Sequence, residues 1–138
     1  MSYKEKKEKV KISKNKKVPK SYVPESLSKE DKKKQIESIK KKTDRPKLKS
    51  FQSKRSSWVE KFQKKYNKKV SDYDFISKNI ISKVGINKIL DKGRGAYYSS
   101  GSRPNQTPES WARARLASVI MGGAARKIDK DIWNKYKK

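Results

Sequence analysis

The apolar residues of this chain are unevenly distributed while its charge is not, and that mismatch limits what it can fold into. Of the hydrophobic residues (AVILMFWYC), 11 fall in residues 1–50 and 32 in residues 51–138, and every Gly, Trp and Phe lies in the second part. Lys and Arg number 19 in the first part and 21 in the second, against seven Asp and Glu in each, so the parts carry +12 and +14 of the net +26. Fixing the backbone of one residue costs roughly 1–2 kcal/mol, and a segment with so little apolar surface cannot offset that by itself. The expectation is a disordered Lys-rich arm over residues 1–50, followed by a small, mostly α-helical domain over residues 51–138. A chain of 138 residues has room for one small domain.

Within the arm, Val10, Ile12, Val18, Tyr22 and Val23 interrupt the lysines, and prolines stand at 19, 24 and 46. One piece is more helical. In SLSKEDKKKQIESIKKK, Ser28 can cap, Glu30 and Asp31 suit a first turn, and Ile36 and Ile39 share a face. With two apolar anchors, such a helix lasts only against a partner.

The second part reads as four or five short helices. SKRSSWVEKFQKKY offers Ser57 and Glu60 at capping-box spacing, with Trp58, Phe62 and Tyr66 recurring every four residues up to a turn at Asn67. SDYDFISKNIIS supplies Ser71 or Asp72 as cap and Phe75, Ile76, Ile80 and Ile81 as its apolar face. Val84 and Gly85 interrupt the pattern before INKILDKG, whose stripe of Ile86, Ile89 and Leu90 is expected to end at Gly93 in a left-handed conformation. Thr107, Pro108 and Glu109 form the clearest helix start, and Ala112, Leu116, Val119 and Ile120 mark one face of the helix that follows, up to Gly122 and Gly123. A final helix near Asp129 places Ile128, Ile132, Trp133 and Tyr136 on one side. Trp58, Trp111 and Trp133, one per helix, are read as core.

Between these helices lies GRGAYYSSGSRPNQTPESW, residues 93–111, a Gly/Ser/Tyr-rich loop with room for a short strand at Ala96–Ser99. Glycines at 93, 95 and 101 leave amides uncovered by side chains, and such amides can face an anion. The helix start after Thr107 adds unpaired N–H groups, while Arg94, Arg103 and Arg113 supply guanidinium forks for phosphate. Arg115 need not share the face of Arg113, because positions two apart diverge on a helix. Tyr97 and Tyr98 offer flat faces for an unpaired base, and Asn105 and Gln106 carry amides that match adenine edges. The candidate nucleic-acid or phosphate site is therefore Arg94, Gly95, Tyr97, Tyr98, Ser99, Ser100, Arg103, Asn105, Thr107 and Arg113. The competing reading is that the loop only braces the fold. Neither GxxxxGK[ST] nor GxGxxG is present.

The chain has no Cys and no His, which removes disulfides, zinc sites of the usual kind and imidazole acid–base catalysis. Ser99, Ser100 and Ser102 have no histidine to activate them, so no catalytic residue, cofactor or metal is expected. The start, MSYKEKKEKVKISKNKK, lacks the apolar run of a signal peptide, and no stretch suits a membrane span. A soluble protein inside a cell or particle is expected.

The run KGRGAYYSSGSRPNQTPESWARARLASVIMGGAARKIDKDIW, with SFQSKRSSWVEKFQKKY and ISKNIISKVGINKIL upstream, resembles an uncharacterised domain family encoded by large DNA viruses of eukaryotes and by tailed phages. The resemblance covers about residues 45–137 and leaves the arm outside. It implies a viral origin and a place in the virion or in handling the viral genome, with no catalytic residue to carry over.

Together these readings predict a virus-encoded, non-enzymatic nucleic-acid-binding protein, located in the virion or in the host cytoplasm or nucleus. DNA stands ahead of RNA as its partner, and no membrane is involved. The alternative is a minor capsid or internal scaffold protein, with capsid proteins as partners, whose arm orders on neighbouring subunits. A helix-turn-helix version places its turn at Gly85.

Overall fold

The computed structural model of the chain describes residues 9–52 and 56–138, and these are mostly helical. The part of the expected arm at residues 1–8 lies outside the described residues. The chain divides into two compact units, the described residues of Met1–Ser53 with Ala96–Pro108, and those of Lys54–Gly95 with Glu109–Lys138.

In the first unit, strand β1 (Lys9–Ser13) pairs antiparallel with β2 (Lys16–Pro19), Val10 opposite Val18, with an irregularity between Lys11 and Ser13. A 3-10 turn at Lys20–Tyr22 follows, then helix α1 (Lys29–Lys41). Its start obeys local chemistry: Ser28 accepts a hydrogen bond from the Asp31 amide at 3.2 Å, and Glu30 and Asp31 sit where the helix dipole favours acids. Lys42 closes the helix in the left-handed region at φ 58°.

Residues 9–50 thus carry regular structure where the sequence predicts a disordered arm. Their scattered hydrophobes converge: Ile12, Val18, Val23 and Ile39 form a small core, with Tyr22 and Ile36 packed on it. Leu27, Leu48 and Tyr97 are also buried in this unit. The rest of the cohesion is polar. The inner face of α1 carries Asp31, Gln35 and Ser38, and each fastens another segment or the helix itself. Gln35 Nε2 donates to the carbonyls of Tyr22 (2.9 Å) and Ser102 (3.0 Å). The Asp31 carboxylate accepts from the Ser50 amide (3.1 Å) and hydroxyl (2.5 Å). Buried hydrogen bonds of this kind are expensive to leave unmade, so they specify a path that apolar area alone would not. The partner that α1 needs is the chain's own hairpin and residues 96–108. Gly101, at φ +99°, lies against Ile39 and Tyr22, and a Cβ there would sit 3.2 Å from Ile39 Cγ2.

The second unit is a bundle of short helices: α2 (Ser57–Tyr66), α3 (Tyr73–Asn79), α4 (Lys83–Ser99), α5 (Pro108–Ile120), α6 (Ala124–Ile128) and α7 (Lys130–Tyr136). The last residues of α4 and the first of α5 belong to the first unit. Phe62, Ile76, Ile81, Ile86, Ile89, Leu116 and Val119 are fully buried in its core, and Trp58, Trp133 and Tyr136 pack on it half-buried. Trp111 is half-buried. The α2 cap is Ser56 rather than Ser57, accepting from the Trp58 amide, and Asp72 caps α3 through the Phe75 amide at 3.1 Å. Asn67 ends α2 at φ 53°, at the expected turn.

Three expectations along α4 are corrected. Gly85 is helical and not a turn; α3 and α4 are joined at 80–82, so a helix-turn-helix pivoting at Gly85 is not formed. Ala96–Ser99 is helix and not strand. Gly93 does not terminate the helix but lies inside it, because a Cβ there would come within 2.6 Å of the Ala112 Cα on α5. Glycine serves close helix packing at this position, not a left-handed cap.

The C-terminal segment is two helices instead of one. Asp129, fully buried, stands between them, taking Arg115 Nε at 2.7 Å and Nη2 at 2.8 Å with Lys92 Nζ at 3.5 Å. The break turns Ile128 outward, 54% exposed, rather than onto the core face. Arg126 donates to the carbonyls of Val119 (2.8 Å) and Ile120 (2.7 Å), satisfying the end of α5, and its guanidinium lies 4.2 Å over the Trp133 ring.

Candidate functional site

The ten residues expected to form one site are divided between the two units. Arg94, Gly95 and Arg113 belong to the second; Tyr97, Tyr98, Ser99, Ser100, Arg103, Asn105 and Thr107 belong to the first.

In the second unit the expected phosphate fork is already engaged. Arg94 meets both oxygens of Glu109, through Nε and through Nη2 at 3.1 Å, and gives Nη1 to Asp91 at 2.8 Å. The hydrogen bond to Glu109 raises the Arg94 pKa, and the same bond lowers that of Glu109. Arg113 is half-buried, and its charge also favours the ionised Glu109. Gly95 is exposed, with nothing within 4 Å of an added Cβ, but it is helical. Helical amides are committed to carbonyls four residues back, so the glycines at 93 and 95 do not present the anion-facing loop that the sequence predicts.

The first unit separates the two adjacent tyrosines. Neighbours on a helix point about 100° apart. Tyr97 is fully buried, and its hydroxyl accepts from the Arg45 amide at 2.6 Å and donates to the Gln106 carbonyl at 2.9 Å. Burial is the main cause that raises its pKa. Both uses are structural, so Tyr97 is not a face for a base. Tyr98 is exposed, and its hydroxyl donates to Asp44 Oδ1 at 2.7 Å, a bond that raises the phenol pKa. The two rings stand edge to face, 5.0 Å apart at 87°.

Asn105 is likewise occupied. Held at φ 61°, it accepts from the Leu48 amide at 2.7 Å and donates to the carbonyls of Leu48 (3.3 Å) and Phe51 (3.0 Å). Its amide clamps residues 48–51 and has no adenine-reading edge left. Gln106 is half-buried and gives its carbonyl to Tyr97. Ser99, Ser100, Arg103 and Thr107 are exposed, the last directly before Pro108 opens α5. The Ser99 carbonyl, near the end of α4, accepts from Lys16 Nζ at 2.9 Å.

Three participants escape the sequence reading: Lys16, Asp44 and Arg45. Arg45 is 7% exposed; its guanidinium lies 4.7 Å over the Tyr97 ring and donates to Thr43 O and, at 3.4 Å, to Ser38 O. Burial is the main cause that lowers its pKa. A signal for it existed: Arg45 is the one arginine among the 19 cations of residues 1–50, and a planar guanidinium, unlike an ammonium, can stack on a ring. Lys16 and Asp44 have no such signal among so many charges.

What the first unit presents to solvent is cationic. Its described residues hold 17 Lys and Arg against five Asp and Glu, a net +12. Of the 15 lysines of residues 9–52, 13 are exposed. Glu25 lies 3.9 Å from Lys20, and Glu37 lies 4.0 Å from Lys40 and 3.3 Å from Lys41. Ten exposed lysines remain with no described carboxylate within 4.0 Å.

No helix among the described residues is long and apolar enough to cross a membrane. No curated protein and no solved structure matches the chain. The family described as "Family of unknown function (DUF5824)" matches residues 12–135, beginning inside the segment that the resemblance noted above leaves out. A match over most of the length shows the family, and the chain belongs to it.

Proposed function

We propose that this protein binds nucleic acid through the lysine-covered surface of its first unit and performs no catalysis on it. The observation that carries the reading is the set of ten exposed lysines without a described carboxylate partner, held on a folded scaffold. Fixed cations on ordered backbone meet a polyanion with less entropy to lose than cations on a coil. The mechanism is counterion release. If six to ten phosphates are neutralised, affinity falls by about 10³ to 10⁵ between 50 and 200 mM salt. This attraction is shared by DNA and RNA, and we place DNA first only as the partner to test first. The setting we propose is a viral genome, following the resemblance in the sequence, and mass spectrometry of purified particles tests it.

The reading of a scaffold protein with a threading arm draws no support from the fold, since Ile12, Val18, Val23 and Ile39 fill a core of their own unit. Salt titrations of the full chain against labelled single-stranded and duplex DNA, followed by fluorescence anisotropy, test the proposal. A steep decline of log affinity with log salt is expected. A flat profile, or no binding at low salt, overturns it.

A further inference from the structure

We infer that Tyr98 is a stacking platform for an unpaired nucleobase, so that the ligand is a single strand rather than a duplex; this rests on the nucleic-acid reading above. Twelve aromatic side chains lie in the described residues, and Tyr98 is the one whose exposure places it at the surface, at 36%. The other eleven are buried or half-buried.

The ring is also held. Its hydroxyl is fixed on Asp44 at 2.7 Å, and the ring of Tyr97 stands edge to face against it at 5.0 Å. Tyr97 is itself immobilised by its bonds to Arg45 and Gln106. A ring ordered before binding loses little rotamer freedom when a base stacks on it. The surroundings suit a strand. Lys16 reaches the carbonyl of Ser99, the next residue, and Lys42 is exposed just ahead of the Thr43–Asp44 segment that anchors the phenol. Cations beside an aromatic face supply the two contacts that a single strand offers and a duplex hides, phosphate and unstacked base. Asp44 meets the phenol at the hydroxyl end of the ring.

The experiment compares the full chain with Tyr98→Leu and Tyr98→Phe, using fluorescence anisotropy at low salt. The probes are labelled oligothymidylate and an abasic strand of the same length, which has the phosphates without the bases. The wild type is expected to favour oligothymidylate by roughly 5- to 150-fold, the range expected for one stacked base. Tyr98→Leu brings the ratio of the two affinities close to one, and Tyr98→Phe preserves it. Circular dichroism of each variant checks the fold. A wild-type ratio near one, or a ratio that Tyr98→Leu leaves intact, overturns the platform while sparing phosphate binding. Failure to bind either strand while the duplex is bound overturns the platform alone, and failure to bind the strands and the duplex alike overturns the nucleic-acid reading with it.

Discussion

Gly93 and Gly95 sit two residues apart in one helix, and physical chemistry assigns them opposite fates. A Cβ at 93 would approach the Ala112 Cα to 2.6 Å, a backbone atom that cannot swing aside. Gly93→Ala is therefore expected to destabilise by about 1–3 kcal/mol through overpacking. At 95 an added Cβ meets nothing within 4 Å. Gly95→Ala removes only the helix penalty of glycine and is expected to stabilise by roughly 0.5–1 kcal/mol. Chemical denaturation of both variants reads the contrast directly, and equal signs would refute it. The same distinction between neighbours governs Tyr97 and Tyr98. Both look like candidate platforms in the sequence, but one turns inward to serve the Arg45 amide and the Gln106 carbonyl, and the other remains at the surface. No local pattern separates them, because the direction of a helical side chain has meaning only once the packed side of the helix is known.

At the scale of elements, helix starts were legible. Ser28, Asp72 and Pro108 stand where capping chemistry predicts, since a cap is a bond between residues three apart or fewer. The helix end predicted at Gly93 was not, because a glycine signals either a left-handed turn or a close approach, and only the facing helix decides which. Helix α1 shows what an element gains from polar fastening. Its Asp31 carboxylate holds the Ser50 hydroxyl and amide, and these bonds lower its pKa, the hydroxyl bond most. A carboxylate whose folded pKa is depressed contributes stability that is present above its unfolded value and lost as pH falls through the folded one. The window therefore opens below about pH 4. Thermal denaturation of the wild type and Asp31→Asn should differ at neutral pH and converge in acid. A difference that stays constant across that range would show that the charge on Asp31 is not what α1 uses.

Over the whole molecule, the division predicted at residue 50 does not follow the compact units. Residues 96–108 belong with the N-terminal segment, through Gln35 to Ser102, Arg45 to Tyr97 and Leu48 to Asn105. Deleting residues 1–50 is thus expected to leave the second unit's apolar core intact while the amides of 96–108 lose protection in hydrogen exchange. Undiminished protection there would contradict the division into units. The sequence by itself determined the net charge, the absence of Cys and His, the helical class and most helix starts, all of which depend on composition or on residues a turn apart. Tertiary structure alone decided that residues 9–50 fold, which tyrosine faces water and where the glycines serve packing. The first two rest on hydrogen bonds between residues 52 to 67 positions apart and the last on the approach of Gly93 to Ala112 on the facing helix, and partners so distant leave no period, spacing or propensity to read along the chain.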